Sequence, residues 1–178
     1  MKLFDRVLLG ASVMMALVAT VLLLHNRTRS AEPVSPREFT QARGLGLPAL
    51  RVGDSTARIV PLRGAPHVLY VFATTCGFCE KQRQHIAELL SSLDTSTVIS
   101  VSQELTSITR GYWASIGAKL PAPEHLRPES AAILDLPGTP ALVFISPAGK
   151  VVSTYVGTVF SWDIARLRKE VDRARIGT

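Results

Sequence analysis

Residues 7–24 form an uninterrupted apolar stretch without a single charge, flanked by Lys2 and Arg6 on one side and by Arg27 and Arg29 on the other. At a 1.5 Å rise its 18 residues span roughly 27 Å, about the thickness of a bilayer's hydrocarbon core. No small residues follow where a signal-peptide cut would need them, because Arg29 precedes the only candidate site at Ala31. The run therefore reads as an uncleaved anchor within residues 1–27, and His25 as an interfacial residue. Residues 28–48 are polar and rich in proline and glycine, a tether, and residues 49–178 read as the folded domain.

Within that domain, residues 57–62 suggest a short edge strand. Residues 67–73 (HVLYVFA) are a dense β-branched and aromatic run, the pattern of a strand buried on both faces. From Gly77 to about Leu93 the apolar positions Ile86, Leu89, Leu90 and Leu93 recur at helical spacing, with charged and amide side chains on the other face. Residues 97–102 predict a second core strand, and residues 105–116 a helix interrupted by Gly111. A loop carrying Pro121, Pro123 and Pro128 follows, then a hairpin with strands at 141–145 and 151–156. A last helix starts near Ser161 as N-cap, with Ile164, Leu167, Val171 and Ala174 inward. The alternation predicts an α/β fold, a mixed sheet with helices on both faces.

Charge adds one exclusion. The net +6 is split evenly between residues 1–43 and the rest, and beyond residue 43 basic and acidic groups are interspersed. The arginines of the last helix alternate with Asp163, Glu170 and Asp172, so no single-sign face for nucleic acid emerges.

Cysteine count sharpens the picture more. There are two, Cys76 and Cys79, which excludes a multi-disulfide scaffold and a four-cysteine zinc site. A purely structural bond across two residues would close too small a loop to stabilise much. A copper or zinc site would need His67, His85 or His125 to converge on the pair, and His85 lies six residues past Cys79 on the same helix. A redox pair fits the context best. Cys76 falls at a helix start directly after a core strand, where unpaired N–H groups favour a thiolate, and Cys79 follows one turn later as a resolving thiol. Phe78, between them, reads as exposed and able to meet a partner, whereas Tyr112 and Trp113 read as core.

The segment Phe72-Ala73-Thr74-Thr75-Cys76-Gly77-Phe78-Cys79 resembles the active-site segment of thioredoxin-fold proteins, and the layout of about residues 45–175 is similar to membrane-anchored TlpA/ResA-like thiol-disulfide oxidoreductases. Pro137-Gly138-Thr139-Pro140 before the strand at 141–145 resembles the family's second motif. The resemblance implies a cis peptide before Pro140 facing the cysteines, with Thr139 offering its backbone to an incoming peptide. It also implies no cofactor and no metal at the site. The implied activity is reduction of disulfides in specific extracytoplasmic clients, for example in cytochrome c or metalloprotein maturation, with electrons from a membrane thiol transporter and the domain facing the periplasm of a bacterial inner membrane. A disulfide oxidant or isomerase and a copper chaperone are the alternatives.

The sequence also departs from the family. Thr75 stands where thioredoxins carry tryptophan and Phe78 where they usually carry proline. Tyr70 and Gln82 occupy the positions where the family places an acid, and Gln84 that of the helix-kinking proline. Glu80 is the acid nearest the pair, and its place in the sequence turns it to solvent. A peroxiredoxin is excluded by Ala73 and Leu69. The separation of 61 positions from Cys79 to Pro140 leaves room for an extra central element.

Overall fold

The computed structural model describes the backbone of residues 37–38 and residues 44–116 and 120–177. The expected anchor, His25 and most of the expected tether lie outside the described residues. Among those described, no helix is long and apolar enough to cross a membrane.

Among the described residues eight strands and five α-helices follow one another: β1 (Arg37–Glu38), β2 (Ala49–Val52), β3 (Arg58–Pro61), β4 (His67–Val71), α1 (Gly77–Lys81), α2 (Arg83–Ser91), β5 (Val98–Ser102), α3 (Thr106–Ile116), β6 (Glu124–His125), α4 (Pro128–Leu134), β7 (Ala141–Ile145), β8 (Val151–Val156) and α5 (Ile164–Ile176). Six strands form one mixed sheet in the order β1-β8-β7-β4-β5-β6. β4 runs parallel to β5 and antiparallel to β7, so the apolar run read as a central strand is central. Its alternation divides the core. Val68, Tyr70 and Phe72 face one cluster with Ile86, Leu89 and Leu90 of α2, Trp113 of α3 and Ile164, Leu167, Val171 and Ala174 of α5. Leu69 and Val71 face the other.

Helices lie on both faces as expected, and the second face carries a further element that the pattern did not predict. It is covered by α4 together with a separate two-stranded sheet, β2 and β3, whose Leu50 and Val52 point inward with Leu62 just beyond. The segment expected as an edge strand of the main sheet thus pairs with a strand the alternation did not reveal, because β2 contributes only two inward apolar residues. Gly53 turns the chain out of β2 at φ +110°, where an added Cβ would lie 2.4 Å from the Thr56 carbonyl oxygen. The hairpin is tied to the sheet through Gly53 N–H to His125 O (2.8 Å) and Arg127 N–H to Arg51 O (3.1 Å).

Four local expectations are corrected. The helix read through to Leu93 is two helices, broken at Gln82 (φ −93°, ψ 1°), and α2 ends at Ser91. α3 is continuous through Gly111. The proline-rich loop contains β6 and α4, with Pro128 at a first-turn position where its missing N–H costs nothing. Ser161 is not the N-cap: a 3-10 turn, Ser161–Asp163, precedes α5, and the Asp163 carboxylate accepts from Phe160 N–H at 3.0 Å.

Candidate active site

β4 delivers the chain to the site. After it, Phe72 N–H still reaches Val101 O (3.1 Å), extending the parallel ladder, and Cys76 N–H closes a turn on Ala73 O (3.2 Å). Cys76 keeps an extended backbone (φ −81°, ψ 106°) and is the N-cap of α1, its sulfur accepting the Cys79 N–H at 3.2 Å. A sulfur thus takes the place of the usual capping oxygen. Cys76 is half-buried, Cys79 is fully buried, and both are free thiols.

The segment before β7 closes the site from across the sheet. The Thr139–Pro140 peptide is cis. The Cys76 thiol donates to Thr139 O at 3.3 Å, and Pro140 O accepts Gly157 N–H at 2.9 Å. Cys76, Cys79, Thr139 and Pro140 are therefore assembled in one place. Phe78 projects from α1 at 51% exposure, with Lys81 Nζ 5.8 Å from its ring centre. Trp113 is buried and stacked on Phe72 at 5.6 Å, as expected of core. Tyr112 is only half-buried, and its hydroxyl donates to the Cys79 carbonyl at 2.9 Å, a link to the site that the core reading did not contain.

The two cysteines differ in electrostatics as well as exposure. Burial, reinforced by the neighbouring Cys76 sulfur, pushes the Cys79 thiol up to about 12. Around it stand side chains that stay neutral at physiological pH. Burial raises Tyr70 well above the usual tyrosine range and Tyr112 to about 12. Gln82 is fully buried at the helix break; its Oε1 accepts Val159 N–H (2.5 Å) and its Nε2 donates to the Tyr70 hydroxyl (3.5 Å). The break therefore forms without the proline absent at position 84: the Gln82 carboxamide is held by two groups outside the helix. Glu80 is exposed and pairs with Arg83 at 3.2 Å, away from Cys79.

One residue of the site had no signal in the sequence. Glu104, two residues past β5, accepts from Thr74 N–H (2.7 Å), Thr74 hydroxyl (3.0 Å) and Ser102 hydroxyl (3.3 Å). It fastens the turn two residues ahead of Cys76. Only an acid directly after a core strand hints at it, and acids are common there.

The three described histidines do not converge on the pair. His67 opens β4, at the end remote from the cysteines, and burial lowers its affinity for a proton. His125 Nδ1 lies 3.2 Å from Asp54, and His85 is on α2. Among the described residues no group of three or more histidine, cysteine or acidic side chains could hold a metal.

No protein-family model and no curated protein matches the sequence. Solved structures do. A thiol:disulfide interchange protein of the thioredoxin family from Chlorobium tepidum superposes with TM-score 0.57 at 18% identity, covering 76% of this chain and 99% of its own. A thiol:disulfide interchange protein from Bacteroides gives 0.56 at 17%, covering 76% and 94%. A thio-disulfide isomerase from Thermus thermophilus gives 0.53 at 18%, covering 72% and 96%. At such identities the likeness establishes the fold, and this chain has the thioredoxin fold.

Proposed function

We propose that this thioredoxin-fold chain is a protein thiol-disulfide oxidoreductase that reduces disulfides in specific client proteins, with Cys76 as nucleophile and Cys79 as resolving thiol. The observation that carries the reading is the pairing of a half-exposed Cys76 sulfur, capping the start of α1, with a buried Cys79 one turn below it. In the first step the Cys76 thiolate attacks one sulfur of the client disulfide; that S–S bond breaks, a mixed disulfide forms and the other client sulfur leaves as a thiolate. In the second, Cys79 gives up its proton and attacks Cys76. The Cys76–Cys79 bond forms, the client leaves as a dithiol, and two electrons have passed to it. Thr139, next to the sulfur, and the exposed ring of Phe78 supply the surface on which the client segment lies.

Residues 7–24 anchor the protein in a bacterial inner membrane with the domain in the periplasm, and a membrane thiol transporter re-reduces it. Clients in cytochrome c or metalloprotein maturation fit that setting. The donating direction is the one that the resemblance to TlpA/ResA-like proteins implies.

A Cys79→Ser variant should accumulate a mixed disulfide through Cys76, isolated from membranes under non-reducing conditions. Recovering no adduct would refute the reading. Equilibration with glutathione separates the two directions, since a reductant lies near about −270 mV and an oxidant near about −120 mV.

A further inference from the structure

Between α4 and the cis peptide the chain turns on Asp135, at φ 43°, and brings Leu136 and Gly138 beside the ends of β4 and β5. A cavity of about 70 Å³ is left there. Its floor is apolar and buried: Val71 at the end of β4, Leu126 just after β6 and Leu134 at the end of α4. Its rim reaches solvent through the exposed Gln103 and Gly138, with Leu136 half-buried. Ala131, one turn before Leu134 on the same face of α4, completes the wall.

Thr139 joins this cavity to the reacting sulfur. The residue lines the cavity, and its carbonyl oxygen accepts from the Cys76 thiol at 3.3 Å. A larger cavity, about 510 Å³, lies beside Ser146 and Lys150 at the opposite end of β7 and β8 and has no such link.

Size and chemistry narrow what fits. A water takes about 30 Å³ of liquid, so the space equals about two waters, enough for a three-carbon branched side chain and too little for an aromatic ring. The apolar floor offers a water few of the partners it needs, so an apolar group gains by displacing it. Among the described residues no lining side chain is charged, and an acidic or basic group would lose its hydration without a partner.

Position narrows it further. When an extended segment lies along a protein edge, alternate side chains point the same way and pockets for them give specificity. With the client cysteine directed at Cys76, the next side chain on that face comes two residues along, about 7 Å away. Leu136, three residues before Thr139, is at most about 11 Å from it along the chain. The cavity lies between the two.

We propose that this cavity is a client subsite: it takes a valine-sized aliphatic side chain two residues from the client cysteine that reacts with Cys76, and thereby discriminates among clients. The inference rests on Cys76 being the nucleophile toward a protein disulfide.

The full chain, reduced and in detergent, is mixed with blocked peptides whose single cysteine carries nitrothiobenzoate through a disulfide. The Cys76 thiolate attacks the peptide sulfur, the bond to nitrothiobenzoate breaks, and that coloured thiolate leaves with the electron pair. Cys79 then attacks Cys76, and the peptide leaves as a thiol. The peptides are glycine throughout except at one position, two residues before or two after the cysteine, which is glycine, valine, phenylalanine or aspartate.

At one of those positions valine should react about tenfold faster than glycine, the worth of burying most of that side chain, with phenylalanine and aspartate near glycine. Ala131→Leu, which fills the cavity from α4, should bring the valine-to-glycine ratio to about one. Leu136→Ala, which widens it, should move the preference to phenylalanine, a gain that damage to the fold does not produce, and it covers the case in which the leucine variant does not fold. Each ratio compares peptides on one protein, so the folded fraction cancels. The proposal is overturned if valine and glycine peptides react equally at both positions, or if the valine preference survives unchanged in a folded Ala131→Leu or in Leu136→Ala. Equal rates for all peptides leave the proposed function standing without the subsite, whereas no release of nitrothiobenzoate from any peptide removes Cys76 as nucleophile and both readings fall.

Discussion

Glu104 offers a direct measure of what holds Cys76 in place. Its carboxylate receives three hydrogen bonds, two from Thr74 at 2.7 and 3.0 Å and a weaker one from Ser102 at 3.3 Å. Bonds to a charged acceptor are worth about 1.5–3 kcal/mol each when buried. Both Glu104 and Thr74 are half-exposed, so water replaces part of what is lost, and about 1 kcal/mol for each Thr74 bond is the reasonable scale. Glu104→Ala should therefore cost about 2 kcal/mol, which for a domain of this size lowers Tm by about 7 °C. Thr74→Ala removes only the hydroxyl bond and should cost about 1 kcal/mol. Added to Glu104→Ala it should cost nothing further, because the acceptor is already gone. The assay is thermal unfolding of the reduced full chain followed by circular dichroism, with the four proteins of the double-mutant cycle side by side. A Glu104→Ala loss below about 0.5 kcal/mol, or strict additivity in the double variant, would refute the role of the carboxylate as the clamp.

Three other outcomes follow from the same geometry. Phe78→Ala should leave stability within about 0.5 kcal/mol, since the ring is already 51% exposed, yet slow the reaction with a peptide disulfide and not with a small one; equal slowing of both would remove Phe78 from client contact. Leu89→Ala, at a fully buried position of α2 against the sheet, should destabilise the domain by about 2–5 kcal/mol in urea titration, and a loss under about 1 kcal/mol would contradict the packing described. His67 is held below its ordinary value by burial, so stability present above about pH 6.5, the unfolded value, is lost as pH falls toward the folded one. His67→Phe should flatten that part of the stability profile between about pH 7 and 5, and an unchanged slope would show that other groups cause it.

The local patterns most legible in the sequence were those set by residue type over a whole element. The run at residues 67–73 became the central β4 because β-branched and aromatic side chains on both faces need a sheet's interior. The α5 stripe of Ile164, Leu167, Val171 and Ala174 was readable because its period is that of a helix. β2 and α4 escaped because each is short and contributes few apolar positions, which gain their meaning only from the second face they cover. The break at Gln82 escaped for a different reason. Gly77 to Leu93 has no proline or glycine that would stop a helix after its first residue, and the cause lies in Val159 and Tyr70, distant in sequence.

By itself, then, the sequence determined the central strands, the 141–156 hairpin, the last helix and the two cysteines at a strand-to-helix turn, since hydrophobic period and spacing are properties of the chain. Tertiary structure alone decided how those thiols differ. The Thr139 carbonyl against Cys76, the Glu104 clamp on Thr74 and the Val159 bond to Gln82 join residues between 30 and 77 positions apart. Hydrogen bonds and burial depend on distance in space, and only the folded sheet brings these groups within reach of one another.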